Sequence, residues 1–110
     1  MPEEISIEDF LKVDMRVAQV KSVHPHPNAD KLYIVKLDVG ATGEKQTCAA
    51  LKPYYSPDEL VGKKVAIVLN LAPAKMRGEL SETMMLACQD GDLVALLTPE
   101  KDLAPGSKVV

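Results

Sequence analysis

Short β-rich segments, separated by proline and glycine turns, constrain the fold of this chain more than any other feature. Val17, Val20 and Val23 break strict alternation, as expected of a long, bent strand that contains a bulge. No helix of crossover length separates successive strands, which argues against a parallel sheet. The apolar segments predict five or six short strands, which span residues 16–23, 33–39, 45–51, 64–71, 83–88 and 93–97.

Two short helices are predicted beside these strands. The clearer signal is Ser56-Pro57-Asp58-Glu59, which combines a capping serine, a proline at the first helical position and a glutamate at the third. Gly62 ends this helix, and another helix begins at Ser6 with Phe10 on its apolar face. A helix between the third and fourth strands is typical of the five-stranded Greek-key barrel of the OB type. An all-β fold is therefore predicted, with residues 1–110 as a single domain.

The charge distribution favours a polyanion as the ligand of one region. The net charge is −3, but residues 44–78 contain six Lys or Arg residues and three Asp or Glu residues, a local balance of +3. Lys75 and Arg77 lie in this region, on what the sequence predicts to be an irregular loop between two apolar strands. A local field decides where a polyanion docks. Because the chain has only four aromatic residues, which are Phe10, Tyr33, Tyr54 and Tyr55, the pattern favours structured RNA over extended single strands.

Several functional classes are disfavoured by the sequence. No run of apolar residues approaches the roughly 20 needed to span a membrane, and the acidic start differs from a signal peptide, so a cytoplasmic location is expected. Cys48 and Cys88 lack a metal-binding spacing and are interpreted as apolar core residues. His24 and His26 lie in a polar turn, where a ring that bonds to backbone would brace the loop. Neither a metal nor another cofactor is expected, and neither is enzymatic activity.

Four motifs resemble the tRNA-binding domain that occurs as a small stand-alone protein and at the C-terminus of some methionyl-tRNA synthetases. They occur in the family's order, and the resemblance covers nearly the whole chain, from Phe10 to Val110. The motifs are Asp14-x-Arg16-Val17, His26-Pro27-Asn28-Ala29-Asp30-Lys31-Leu32-Tyr33, Tyr54-Tyr55-Ser56-Pro57-Asp58-Glu59-Leu60-x-Gly62-Lys63 and Asn70-Leu71-x-Pro73-x-Lys75-x-x-Gly78-x-x-Ser81-x-x-Met84.

This resemblance implies a homodimer that binds the L-shaped body of tRNA, with an aminoacyl-tRNA synthetase as a possible partner. The dimer would be built around Phe10 and the tail after Pro99. The implied RNA-binding residues are Lys45, Asn70, Lys75, Arg77, Ser81 and Met84.

The chain departs from the family pattern at two places. Ala49-Ala50 stands where the family usually has Ser-Gly, and Thr83 stands where it usually has glycine. Lys45-Gln46-Thr47 and Ser81-Glu82 also resemble a related protein-export chaperone that has the same fold. The alternative function is therefore the binding of unfolded polypeptide.

Overall fold

A computed structural model describes residues 3–110 and confirms the all-β prediction. Its main sheet has five antiparallel strands, which are β1 (Met15–Pro25), β2 (Tyr33–Asp38), β3 (Glu44–Ala49), β4 (Lys64–Val68) and β7 (Met84–Met85). They lie in the order β3-β2-β1-β4-β7, and the sheet curls into a nearly closed barrel of the OB type. Two further hairpins are formed by β5 (Ala74–Met76) with β6 (Glu79–Ser81) and by β8 (Ala87–Asp90) with β9 (Leu93–Leu96).

The long first strand organises the barrel. Its first part pairs with β4, from Met15 to Gln19, and its second part pairs with β2, from Gln19 to Pro25. The register shifts between Val20 and Ser22, which confirms the predicted bulge. A bulge bends a strand and increases its twist, so one strand can pair with different neighbours along its length.

The barrel closes through contacts between β3 and the segment before β7. The Glu82 amide donates to the Gln46 carbonyl at 2.8 Å, and the Thr47 hydroxyl donates to the Thr83 carbonyl at 2.8 Å. The tail runs along the first part of β1, where the Val17 amide donates to the Ser107 carbonyl at 2.8 Å.

The core lies inside the barrel, and the two helices differ in how they relate to it. Helix α2 (Pro57–Leu60) has the predicted capping box and inserts the fully buried Leu60 into the core. Helix α1 (Ile7–Leu11) buries none of its residues. A 3-10 turn (Gly40–Thr42) connects β2 to β3. No helix within residues 3–110 is long and apolar enough to cross a membrane.

Three details of the sequence prediction were wrong. The segment predicted as an irregular loop contains the β5–β6 hairpin. The strand predicted over 83–88 is divided into β7 and β8, because Leu86 lies between them and bonds to Ala66 and Leu97. Cys48 is buried as predicted, but Cys88 is exposed on the β8–β9 hairpin. The four residues of β8 are all exposed, whereas its partner β9 packs on the core through Val94 and Leu96.

Candidate nucleic-acid interface

The β5–β6 hairpin presents the two cations that the sequence analysis singled out. Lys75 pairs with Leu80 across the hairpin, and Arg77 with Gly78 forms its two-residue turn. Both turn residues have positive φ, 53° for Arg77 and 91° for Gly78. This geometry is that of the type I′ turn, whose twist matches that of the two strands that it joins. Within the described part of the chain, neither Lys75 nor Arg77 forms an ion pair, so both charges are available to a ligand.

Strand β6 is fastened to the barrel by β3. The Gln46 side-chain amide donates to the Leu80 carbonyl at 2.8 Å, and the Cys48 backbone amide donates to the Ser81 hydroxyl at 3.2 Å.

The pKa of the Cys48 thiol is raised, mainly because burial disfavours the thiolate and also because Glu79 lies nearby. The thiol therefore serves as a neutral packing group rather than as a nucleophile.

Strand β5 is fastened by the turn that follows β1. His26 is 6% exposed, and the Nε2 atom of its ring lies 2.7 Å from the Met76 carbonyl oxygen. Its Nδ1 accepts a hydrogen bond of 2.9 Å from the Asn28 backbone amide. The Asn28 side chain donates to the Arg77 carbonyl at 3.4 Å. The interpretation of a histidine that braces its loop is therefore confirmed, and the structure adds that the ring reaches the hairpin.

An apolar groove of about 570 Å³ lies beside the hairpin. This volume is within the range of clefts that bind small ligands. Side chains alternate along a strand, so Ala74 and Met76 face the groove, and Lys75 lies on the opposite face of the hairpin. Among the other lining residues are Ala49, Ala50, Tyr54, Leu71, Ser81, Thr83 and Met84.

The predicted RNA-binding residues are partly brought together. Ser81 and Met84 line the groove, and Lys75 and Arg77 are on the hairpin that forms one of its walls. Lys45 lies near the groove, but its charge is partly matched by Glu82, with 3.9 Å between the Lys45 Nζ and Glu82 Oε2 atoms.

Asn70 occupies a different position from the other predicted residues. Its Oδ1 accepts a hydrogen bond of 2.8 Å from the Asp14 amide, and its Nδ2 donates to the Lys12 carbonyl at 2.6 Å. Asn70 thus ties the end of β4 to the segment between α1 and β1. In this structure its polar atoms hold the backbone rather than face the hairpin.

Phe10 lies on α1, outside the groove. It is 43% exposed, and its neighbours Ile7 and Leu11 are more exposed still, at 65% and 70%. The helix therefore presents an apolar face that nothing in the described chain covers.

Two features of this surface were not predicted from the sequence. The Gln46 side chain joins β3 to the hairpin, because its amide donates to the Leu80 carbonyl. No local sequence pattern predicts this contact. Nothing in the sequence indicated that Tyr54, which is 41% exposed, lines the groove. Its neighbour Tyr55 does pack on the core and accepts a hydrogen bond from the Leu96 amide at 3.2 Å.

The departures from the family pattern all lie at the groove. Ala49, Ala50 and Thr83 are among its lining residues. The Thr83 hydroxyl is buried and has no hydrogen-bond partner in the described residues, while the Thr83 carbonyl accepts from Thr47.

Across residues 3–110, no three His, Cys, Asp or Glu side chains converge to hold a metal ion.

Comparison with known proteins places these features in a family. The model of the family described as "Putative tRNA binding domain" matches residues 15–108. The methionine–tRNA ligase of Pyrococcus furiosus is 51% identical over 106 residues, which are 96% of this chain but only 14% of that ligase.

Two solved structures cover nearly the whole chain. The CsaA chaperone protein from Picrophilus torridus is 36% identical, with a TM-score of 0.91 and coverage of 97% of this chain and 100% of that one. The MetRS related protein from Pyrococcus horikoshii is 28% identical, with a TM-score of 0.90 and coverage of 99% and 100%.

Proposed function

Because the chain belongs to the tRNA-binding domain family, whose model matches residues 15–108, we propose that it is a non-catalytic module that binds folded tRNA. The family match carries this proposal. Recognition is through the shape and phosphate backbone of the RNA, largely without regard to the amino acid that it carries. The hairpin with Lys75 and Arg77 contacts phosphates, and the adjoining groove, with Ser81 and Met84, contacts the RNA surface beside them. Lys45 contributes less, because Glu82 partly neutralises it.

The charge of the chain sets the expected character of binding. With a net charge of −3, long-range attraction to RNA is weak, and a few local cations must supply the affinity. Each phosphate that a cation neutralises releases counterions, so the affinity should fall steeply with salt.

Fluorescence anisotropy of labelled bulk tRNA tests this function. The titration is repeated from about 50 to 200 mM salt, a range over which several phosphate contacts change the affinity by orders of magnitude. Unlabelled single-stranded RNA is the competitor. Saturable, salt-steep binding that single strands compete for poorly is the expected result. No binding to tRNA at the lowest salt would refute the function.

The working form is a homodimer in which α1 and the tail pack against a second copy. The exposed apolar face of α1 supports this arrangement, as do Leu103 and Val110 in the tail, which are also exposed. Dimerisation has a functional use. Two weak basic surfaces that bind one RNA give the dimer a higher affinity, because the second contact forms at a high effective concentration.

We further propose a cytoplasmic location and an aminoacyl-tRNA synthetase as a working partner. The similarity to a methionine–tRNA ligase over 96% of this chain supports this partner. Co-sedimentation of the protein with methionyl-tRNA synthetase, with and without tRNA, tests the association. Failure to co-sediment under both conditions would remove the synthetase but leave the tRNA-binding function standing.

The second candidate function is that of a chaperone that binds unfolded polypeptide. It is favoured by the 36% identity to the CsaA chaperone protein, over the whole of that chain, and by the apolar lining of the groove. Anisotropy of a labelled unfolded polypeptide distinguishes the two functions. Apolar capture predicts an affinity that changes little between about 50 and 200 mM salt, whereas phosphate binding predicts a steep loss.

A further inference from the structure

The β5–β6 hairpin is too small to hold its own shape. It has three residue pairs, and an isolated two-stranded hairpin is only marginally stable in water. Its position relative to the barrel therefore depends on what each strand is fastened to. Strand β6 is anchored on β3 by hydrogen bonds that include those of Gln46 to Leu80 and of Cys48 to Ser81. Between Ala74 and Arg77, the polar contacts of the described structure that reach outside the hairpin come from His26 and Asn28.

The hydrogen bonds of His26 determine the tautomer of its ring. A carbonyl oxygen can only accept, so Nε2 must carry the proton that is donated to Met76. A backbone amide can only donate, so Nδ1 must present a lone pair to Asn28. Both ring nitrogens are thus used, and the buried ring joins the turn that follows β1 directly to the backbone next to Arg77.

We propose that His26 is a positioning residue for RNA binding, which fixes the cationic tip of the hairpin relative to the groove. This inference rests on the proposed function. By holding the Met76 carbonyl, the ring restricts the backbone on either side, where Lys75 and Arg77 are attached. Asn28 adds a second hydrogen bond, to the carbonyl of Arg77 itself. Cations held in place before the RNA arrives lose less conformational entropy when they bind it.

The test compares His26→Leu with His24→Leu. The two histidines are two positions apart, but His24 is exposed and makes no side-chain hydrogen bond within the described residues. His26→Leu keeps an apolar group in the buried position while removing both hydrogen bonds. It is expected to weaken tRNA binding by up to about tenfold, the scale of one or two net hydrogen bonds, and to flatten the salt slope by roughly one unit. His24→Leu should behave as the parent does.

A rescue and a cycle separate positioning from general loss of structure. His26→Gln retains an N–H donor for Met76 and should recover most of the affinity. In a background that lacks both cations (Lys75→Ala with Arg77→Asn), His26→Leu should cause little further loss, because its effect acts through those side chains. Amide hydrogen exchange should show faster exchange in β5 of His26→Leu, with the exchange of β1 and β2 unchanged.

The outcomes also separate this inference from the function on which it rests. A parent that binds tRNA while His26→Leu binds equally well, with the same salt slope, overturns the positioning role alone. The positioning role is also overturned if His26→Leu weakens tRNA binding as much in the variant without the Lys75 and Arg77 cations as it does in the parent. A parent that does not bind tRNA at all refutes the proposed function and the inference with it.

Discussion

Gly40 and Pro105 meet through their backbones at the point where the tail reaches the barrel. A Cβ atom built on Gly40 would lie 2.3 Å from the Pro105 carbonyl oxygen, and the φ of Gly40 is +63°. The next residue, Gly106, donates its amide to the Val17 carbonyl at 2.7 Å. The turn after β2 and the tail therefore pack together through a glycine contact that leaves no space for a side chain.

Gly40→Ala should destabilise the protein by roughly 3 kcal/mol, as the sum of a left-handed backbone conformation and a forced shift of the tail. The free energy of unfolding from urea denaturation measures the loss. Gly91→Ala is the matched control, because Gly91 has a similar φ of +57° but no atom within 4 Å of the added Cβ. That control should cost only about 1 kcal/mol, the conformational part alone. Equal losses in the two variants would contradict a specific clash with the tail.

The capping box of α2 should make stability depend on pH through Glu59. The Ser56 backbone amide donates to the Glu59 carboxylate at 2.9 Å, and this bond, with the Ser56 side chain, lowers the pKa of Glu59 below its ordinary value of 4.5. A lowered folded-state pKa stabilises the protein above pH 4.5, and the benefit disappears as the pH falls through the folded value. The parent should therefore exceed Glu59→Gln in stability at pH 6, and the difference should shrink by pH 3.

Urea midpoints of the two proteins at both pH values measure this difference. Asp58→Asn is the control, because Asp58 lies in the same first turn but makes no side-chain hydrogen bond in the described structure. The pH dependence assigned to the Ser56 contact is the part of the Glu59→Gln difference that exceeds the Asp58→Asn difference. A Glu59→Gln difference that is constant with pH would contradict the role assigned to the carboxylate.

The sequence was sufficient to predict the barrel because its signals are local and agree with one another. The Ser56 capping box, the bulge in β1 and the apolar alternation of β2 each specify one element, and the helix between the third and fourth strands specifies their arrangement. The resemblance to the tRNA-binding domain family is likewise carried by contiguous motifs, and the family match confirmed it.

The sequence was not sufficient to predict the hairpin or its attachment. Arg77 adopts a positive φ that a non-glycine residue seldom has. Of the two turn residues, only Gly78 therefore indicated a type I′ turn in the sequence. The contact between His26 and Met76 joins residues 50 positions apart, and no local pattern encodes it. The resemblance implies an RNA-binding role for Asn70, and no sequence pattern indicated the structural contacts that this side chain makes. Its hydrogen bonds to Lys12 and Asp14 depend on how two distant segments fold together.

Lys75→Ala and Arg77→Asn should each weaken tRNA binding by a similar factor for every tRNA species. Asparagine is chosen at position 77 because it tolerates a positive φ better than alanine. Each change should flatten the log–log salt slope by roughly one unit, as expected when one phosphate contact is lost. Lys45→Ala should have a smaller effect, because Glu82 already offsets its charge.

Anisotropy titrations over several salt concentrations measure these slopes. Lys63→Ala is the control for the loss of one positive charge, since Lys63 is partly exposed beside Gln19 and Lys64, outside the tail and away from the hairpin and the groove. If the Lys75 and Arg77 variants keep the slope of the parent, the RNA-binding surface has been assigned to the wrong face.

Phe10→Asp should shift the protein from dimer to monomer. Phe10 is 43% exposed on a helix that buries none of its own residues, and a carboxylate placed in an apolar interface would be desolvated without a partner. Val61→Asp introduces the same charge at an apolar position that is 50% exposed, next to α2, and should leave the mass unchanged. Sedimentation equilibrium gives the mass of each variant. A Phe10→Asp protein that keeps the mass of a dimeric parent would exclude α1 from the interface, and a monomeric parent would exclude the dimer itself.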